Sequence, residues 1–152
     1  MRKVGIIGAG IMGSGIAQTV ASKGMDVILS DISIENAEKG KAGLAKGLAK
    51  LVAKEKIAQA DVDALPPRIT TAGDYAGMGD CDLIIEAATE REDIKLKIFT
   101  AVGEVLGTGA ILASNTSSIP ITRMAASSPD PTRFCGLHFF NPVPVLNLVE
   151  VV

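Results

Sequence analysis

A glycine-rich turn near the amino terminus constrains the fold of this chain more than any other segment. The turn, Gly8-Ala9-Gly10-Ile11-Met12-Gly13, fits the pattern G-x-G-x-x-G. It follows an apolar segment at residues 4–8 and opens a segment with helical apolar spacing at residues 11–23. Asp31 closes the next apolar segment, eighteen positions after Gly13. This order is typical of the first βαβ unit of a parallel sheet, in which a strand, a glycine turn and a helix are followed by a second strand that ends at an acidic residue.

The remainder of the chain continues this alternation of strands and helices. Further strands are predicted at residues 26–30, 68–71, 82–86, 109–113, 134–139 and 146–152. Further helices are predicted at residues 34–54, 59–64, 93–105 and 120–126. We expect Gly24 to end the first helix and Ser118 to cap the last. The pattern predicts an α/β, Rossmann-type doubly wound and mainly parallel sheet with helices on both faces, and a long helix-turn-helix insertion after the second strand.

The glycines of the turn have separate roles in a dinucleotide site. Gly8 permits the tight turn, Gly10 lets the backbone approach a pyrophosphate, and Gly13 lets the helix pack close to the strand. The N–H groups at the start of the helix can then bind the anion. We therefore predict that the whole turn, residues 8–13, contacts the cofactor.

Asp31 indicates which dinucleotide is bound. Its carboxylate can accept hydrogen bonds from the adenosine ribose hydroxyls and repels a 2′-phosphate, and the neighbours Ser30, Ile32 and Ser33 offer no arginine. The sequence therefore favours NAD over NADP. The alternative is that the glycines only form a tight turn and Asp31 caps the helix that begins near residue 34.

His138 is the only histidine of the chain. It lies at the end of a late strand, where ligands collect in open α/β sheets. Glu150 lies in an apolar run, where we expect it to be buried and paired. The twelve residues between them suit a strand, a turn and a returning strand, so a carboxylate-oriented general base is predicted. The alternative is a core histidine without a catalytic role.

A polar run, Ala113-Ser-Asn-Thr-Ser-Ser118, follows the fifth strand. One interpretation is a loop that ends in a helix cap. The other is a polar wall for a substrate oxygen or the nicotinamide ribose, with Asn115 and Ser117 as predicted contacts.

Four segments together resemble a known family. GAGIMGSGIAQ, DLIIEAATE, ASNTSS and GLHFFNPVPVLNLVE are similar to segments of 3-hydroxyacyl-CoA dehydrogenases, especially the compact bacterial 3-hydroxybutyryl-CoA type, in the same order from residue 3 onward. The resemblance implies NAD-dependent, reversible oxidation of an (S)-3-hydroxyacyl-CoA to the 3-ketoacyl-CoA. It implies that His138 is the general base, Glu150 its partner, and Ser117 a contact of substrate and cofactor.

The resemblance also implies binding positions that the residues alone do not indicate. Glu90, Lys95 and Asn141 match positions that contact NAD, and Lys54 matches one that binds a phosphate of coenzyme A. Lys54 belongs to a stripe on the long predicted helix, with Lys39, Lys46 and Lys50. Such a stripe is equally compatible with a solvated surface or with CoA phosphates.

The resemblance implies that residues 1–152 are the NAD-binding domain of a longer protein. The resemblance implies that a helical domain follows, supplies a catalytic asparagine and forms a homodimer. The apolar run at residues 148–152 agrees with this expectation of a longer chain. Alone, the chain should bind NAD but be largely inactive. One rival interpretation is a 3-hydroxyisobutyrate or 6-phosphogluconate type dehydrogenase, and a second is a non-catalytic NAD-binding module. A third is a segment of a multifunctional β-oxidation protein, but the strand that begins almost at Met1 argues against it.

Composition excludes several other classes. The net charge of −2 and the scarcity of aromatic residues argue against a nucleic-acid surface. The apolar segment near the amino terminus is too short to span a bilayer and is interrupted by glycines. Cys81 and Cys135 show no metal-ligand spacing and indicate free thiols in a reducing compartment. We therefore expect a cytoplasmic protein with no membrane segment and no metal.

Overall fold

Seven strands form a single sheet in the computed structural model, which describes residues 1–152. They are β1 (Lys3–Ile7), β2 (Asp26–Ser30), β3 (Ile69–Ala72), β4 (Leu83–Glu86), β5 (Ile111–Ser114), β6 (Phe134–Phe139) and β7 (Val149–Val151). Their order is β3-β2-β1-β4-β5-β6-β7. Strands β1 to β6 are parallel, and β7 pairs antiparallel with β6. The order reverses between β1 and β4, where a doubly wound sheet opens a crevice at the carboxyl ends of its strands.

Five α-helices connect the strands. They are α1 (Ile11–Ser22), α2 (Ile34–Ala53), α3 (Gln59–Asp63), α4 (Glu92–Gly103) and α5 (Ile121–Ala125). Gly24 adopts the left-handed conformation just after α1, with φ of +83°, which ends that helix as expected. The helix-turn-helix of α2 and α3 lies between β2 and β3. The predicted fold class is therefore confirmed.

The core follows the two-residue period of the strands. Val4 and Ile6 of β1 pack into a cluster with α1 and α2, whereas Ile7 packs into a second cluster with Phe99 and Val102 of α4. Strands covered on both faces are apolar throughout, which explains segments such as residues 83–85. Alternate residues of one strand therefore face the same layer of helices. The same alternation places Glu86 and Ser114, at the strand ends, on the face of Ile84 and Leu112.

Several predicted element ends differ from the structure: β5 begins at Ile111 rather than at residue 109, and α4 ends at Gly103 rather than at residue 105. Two further differences have a clear physical reason. Ser118 does not cap α5. Pro120 stands directly before the helix, and no side chain caps its first turn. Thr116 Oγ1 instead accepts from Ile119 N at 3.1 Å. Strand β7 begins at Val149 rather than at residue 146. The N–H of Leu146 donates to Pro142 O in a turn, at 3.1 Å, and is therefore not available to a strand ladder.

None of the helices combines the length and apolar character needed to cross a lipid bilayer.

Candidate active site

The glycine turn has the geometry of a dinucleotide cradle. Gly8 has φ of +104°, and a Cβ there would lie 2.6 Å from Ala87 O on the neighbouring β4 segment. A Cβ at Gly13 would lie 1.7 Å from Gly8 O. Gly10 faces open space, and no side chain caps the first turn of α1. The chain thus packs tightly below the turn and leaves its outer side open to an anion.

Asp31 is fixed by the turn and remains able to bind a ligand. Its Oδ2 accepts from Ala9 N at 2.7 Å, and its Oδ1 accepts from Ile32 N at 2.7 Å. Asn36 Nδ2 lies 3.5 Å from Oδ1 as a third, long contact, and since two carboxylate oxygens have about four acceptor positions, an acceptor position remains for a ribose hydroxyl. Ser33, not Asp31, caps α2, since Ser33 Oγ accepts from Asn36 N. The capping alternative for Asp31 is therefore wrong, and the residues fit a dinucleotide without a 2′-phosphate.

An open crevice of about 670 Å³ adjoins the turn and Asp31. Its walls come from α1, from α2 and from the segment after β6. Asn141 lies on this wall, next to the cis peptide bond Asn141–Pro142. The crevice is therefore large enough for part of an extended ligand.

His138 and Glu150 are neighbours across β6 and β7. The two residues are directly opposite in the antiparallel register, and His138 Nδ1 lies 3.2 Å from Glu150 Oε2. Residues directly opposite in an antiparallel pair project from the same face. The predicted strand, turn and returning strand are present, and they bring the two side chains into contact.

The expected burial of Glu150 is wrong. Its side chain is 58% exposed, while that of His138 is 23% exposed. All three residues of β7 are exposed, because β7 is the outermost strand of the sheet. The ring of Phe140 adds a further contact, with its centroid 4.5 Å from that of His138. The imidazole is thus held from two sides and stays accessible to solvent.

The polar run after β5 is divided between structure and surface. Ser114, Asn115 and Thr116 are buried, whereas Ser117 and Ser118 are exposed. Asn115 Oδ1 accepts from Phe139 N at 2.8 Å, directly after His138. Of the two exposed hydroxyls, that of Ser117 is closer along the chain to Asn115. Ser117 is therefore the better candidate for a ligand contact.

Glu90 lies against the same run. Its Oε2 accepts from Thr116 Oγ1 at 2.8 Å and from Ser118 Oγ at 3.4 Å. The loops after β4 and β5 are therefore joined on either side of Ser117. Glu90 and Ser117 follow β4 and β5, and His138 and Glu150 lie within β6 and β7. None of these four residues lines the 670 Å³ crevice.

Lys95 belongs to a buried ion pair beneath these loops. Its Nζ lies 2.5 Å from Glu86 Oε2, and the two side chains are 1% and 0% exposed. Ser114 Oγ donates to the same carboxylate oxygen at 2.9 Å. We call Glu86, Lys95 and Ser114 the floor of the site. The Lys95 ammonium is thus engaged by Glu86 and Ser114, and its contact with the cofactor stays a prediction.

Lys54 is exposed at the carboxyl end of α2 and does not line the crevice. Lys39 of the same stripe does line it.

Sequence reasoning missed the glycines of α2 and the floor. Gly40, Gly43 and Gly47 line the crevice, and a Cβ at Gly40 would lie 2.5 Å from Ala9 O. The signal was available, because three glycines are unfavourable inside a helix unless something approaches them closely. For the floor, the signal was Glu86 at the end of an otherwise apolar strand.

Comparison with known proteins gives consistent matches. The family profile described as "3-hydroxyacyl-CoA dehydrogenase, NAD binding domain" matches residues 3–152. A 3-hydroxybutyryl-CoA dehydrogenase of Bradyrhizobium diazoefficiens is 45% identical over 152 residues, covering 100% of this chain and 52% of that protein. A probable 3-hydroxybutyryl-CoA dehydrogenase of Deinococcus radiodurans is 46% identical over 150 residues, covering 99% of this chain and 54% of that protein.

Solved structures agree with the sequence matches. The crystal structure of an (S)-3-hydroxybutyryl-CoA dehydrogenase from Ralstonia eutropha superposes with a TM-score of 0.96 at 47% identity, covering 99% of this chain and 53% of that one. The chain spans about half the length of the curated relatives it matches.

Proposed function

This chain belongs to the 3-hydroxyacyl-CoA dehydrogenase family, as its NAD-binding domain, and from that premise we propose an activity for the complete protein. The complete protein oxidises the 3-hydroxyl of an (S)-3-hydroxyacyl-CoA, with 3-hydroxybutyryl-CoA as the expected substrate, and catalyses the reverse reduction. The observation that carries the proposal is the contact between His138 and Glu150 at the carboxyl end of β6.

The cofactor is held by backbone and carboxylate groups of this chain. The N–H groups at the start of α1 bind the pyrophosphate, and Asp31 accepts from the adenosine ribose. Asn141 and Glu90 are proposed contacts on the way to the nicotinamide end. When bound, NAD supplies the hydride acceptor for carbon 3 of the substrate.

His138 handles the proton of the reaction. An ionised carboxylate can only accept hydrogen bonds, so Glu150 favours the tautomer with the proton on Nδ1. Nε2 is then free to take the proton of the 3-hydroxyl as the hydride leaves carbon 3. In the reductive direction Nε2 returns the proton to the oxygen. The exposed Ser117 hydroxyl donates a hydrogen bond to the same substrate oxygen and also contacts the cofactor.

The CoA moiety extends toward α2. A Cβ at Gly43 or Gly47 would meet nothing within 4 Å, which leaves an open surface along the helix. Lys54 at the end of α2 binds a CoA phosphate, and the exposed lysines of the stripe support it through their charge.

Further properties concern the complete protein. A helical domain that follows residue 152 covers the substrate and forms a homodimer. Residues 1–152 alone bind NAD and turn over poorly, because the exposed edge at His138 lacks that cover. The cytoplasmic location stays a prediction.

The experiment is a steady-state assay of the complete protein with acetoacetyl-CoA and NADH or NADPH. Turnover should require NADH, and His138→Ala should lower kcat by about 10²-fold or more. Lys54→Ala should raise KM for acetoacetyl-CoA with little change in kcat, and Lys97→Ala, on the exposed side of α4, is its matched control.

Two results would contradict the proposal. Unchanged kcat in His138→Ala would favour a related dehydrogenase that takes its base from another domain. NAD binding without any turnover of CoA esters would favour a binding module.

A further inference from the structure

Strand β6 has different partners along its length. Its first half pairs with β5, in a ladder that ends at Ser114 and Gly136. The three residues from Leu137 to Phe139 pair only with β7. The part of β6 that carries His138 is therefore beyond the backbone ladder that joins β6 to the main sheet.

Asn115 connects this part of β6 to the main sheet. The residue is 9% exposed, and its Oδ1 accepts from Phe139 N at 2.8 Å. Asn115 is itself held in place, because its N–H donates to Glu86 O at 2.8 Å. A side-chain oxygen thus takes the place of a ladder carbonyl for the residue directly after His138.

The connection also fixes the spacing between two proposed catalytic residues. Asn115 is two residues before Ser117, and Phe139 directly follows His138. One hydrogen bond therefore links the loop of the hydroxyl donor to the strand of the base. Misplacing reacting groups by about 1 Å can lower a rate by about 10²-fold.

We infer that Asn115 is a positioning residue that holds His138 in register with Ser117, through its hydrogen bond to Phe139 N. The inference rests on the proposed function of His138. It assigns to Asn115 a role through the strand, whereas the sequence predicts a direct cofactor contact. The amide Nδ2 of Asn115 is not needed for the positioning role.

Two variants of the complete protein separate these roles. Asn115→Leu has a similar volume and no acceptor, and Asn115→Asp keeps an acceptor oxygen but has no amide donor. Positioning predicts that Asn115→Leu lowers kcat by roughly 10- to 100-fold with less than about a threefold change in Kd for NAD. Asn115→Asp should recover most of the lost kcat.

A readout without turnover tests the bond itself. Amide hydrogen exchange, followed by NMR in the complete protein, should show faster exchange of Phe139 N–H in Asn115→Leu and near-normal exchange in Asn115→Asp. Gly136 N–H, which donates to Val152 O at 2.8 Å, is the internal control and should keep its protection in both. If Asn115→Leu does not fold, Asn115→Ala replaces it in both measurements.

Several results would overturn the inference. Equal losses of NAD affinity in both variants would assign Asn115 to the cofactor through Nδ2. Unchanged Phe139 exchange or unchanged kcat in Asn115→Leu would remove the positioning role. His138→Ala is assayed in parallel, because full activity there would refute the proposed function and not the hydrogen bond.

Discussion

The floor of the site and the β6–β7 edge each contain an acid–base pair, but the two pairs differ in their surroundings. The Lys95–Glu86 pair is almost completely buried and shares its carboxylate with Ser114. The His138–Glu150 pair lies on the last two strands, with Glu150 more than half exposed. A buried pair with satisfied hydrogen bonds fixes the loops above it, whereas an accessible imidazole can exchange a proton with a ligand. Changes at the floor should therefore act on stability first, and changes at the edge on turnover.

Lys95→Met gives the largest expected effect and tests the floor directly. It leaves the Glu86 carboxylate buried without its cation, which should lower the free energy of unfolding by roughly 3–5 kcal/mol. Urea unfolding of the variant and of Lys97→Met, an exposed lysine on the same helix, measures the difference. A loss of NAD affinity without a loss of stability would contradict this structural role and support the predicted cofactor contact.

Gly13→Ala tests the tight packing below the turn. The added Cβ would meet Gly8 O, so the helix and turn must separate, at about 2–3 kcal/mol of stability and with a large loss of NAD affinity. Gly43→Ala is the control for stability alone, because its Cβ meets open space and should stabilise α2 by up to about 1 kcal/mol, whereas its place on the crevice makes it no control for NAD affinity. Calorimetric NAD titration and urea unfolding report the two effects. Equal behaviour of both variants would contradict the close packing.

Glu150→Gln tests the edge. The pair is exposed and screened, so the free energy of unfolding should change by less than about 1 kcal/mol. Turnover should fall by about tenfold, because the amide holds the imidazole tautomer less firmly. Glu104→Gln, an exposed acid at the end of α4, should change neither quantity. A stability loss as large as that of Lys95→Met would remove the contrast between floor and edge.

The two thiols give the smallest effect. Burial raises the pKa of Cys81 to about 11 and also raises the pKa of Cys135, which is only partly buried on β6. The thiolate is the reactive form, so both should react slowly with iodoacetamide at pH 8, with Cys135 faster than Cys81. Mass spectrometry of the labelled chain, with Cys135→Ser to identify the site, measures the order. Faster labelling of Cys81 would contradict a closed interior on its side of the sheet.

The sequence predicts well whatever depends on spacing along the chain. The glycine turn, Asp31 and the alternation of strands have characteristic periods, and the fold follows from them. The contact of His138 with Glu150 could also be predicted, because a two-strand return at a proline-containing turn determines which residues face each other.

Other features depend on partners that no local pattern specifies. The acceptor for Phe139 N lies 24 positions away, at Asn115, and the carboxylate partner of Lys95 lies on a different element. Family resemblance gave Lys95 a cofactor contact, and its burial emerged only from the packing of α4 under β4 and β5. The sequence does not predict the exposure of Glu150, because an apolar run indicates burial in an inner strand but not in an edge strand such as β7.

The short outermost strand has a consequence for how residues 1–152 respond to heating. Strand β7 has three residues, all exposed, and it carries Glu150, whose carboxylate contacts His138. Strand ends of this kind fray at far smaller free energies than a sheet interior needs to open. In residues 1–152 alone, the contact of His138 with Glu150 should therefore be lost by local fraying at temperatures at which the nucleotide half of the sheet is still folded.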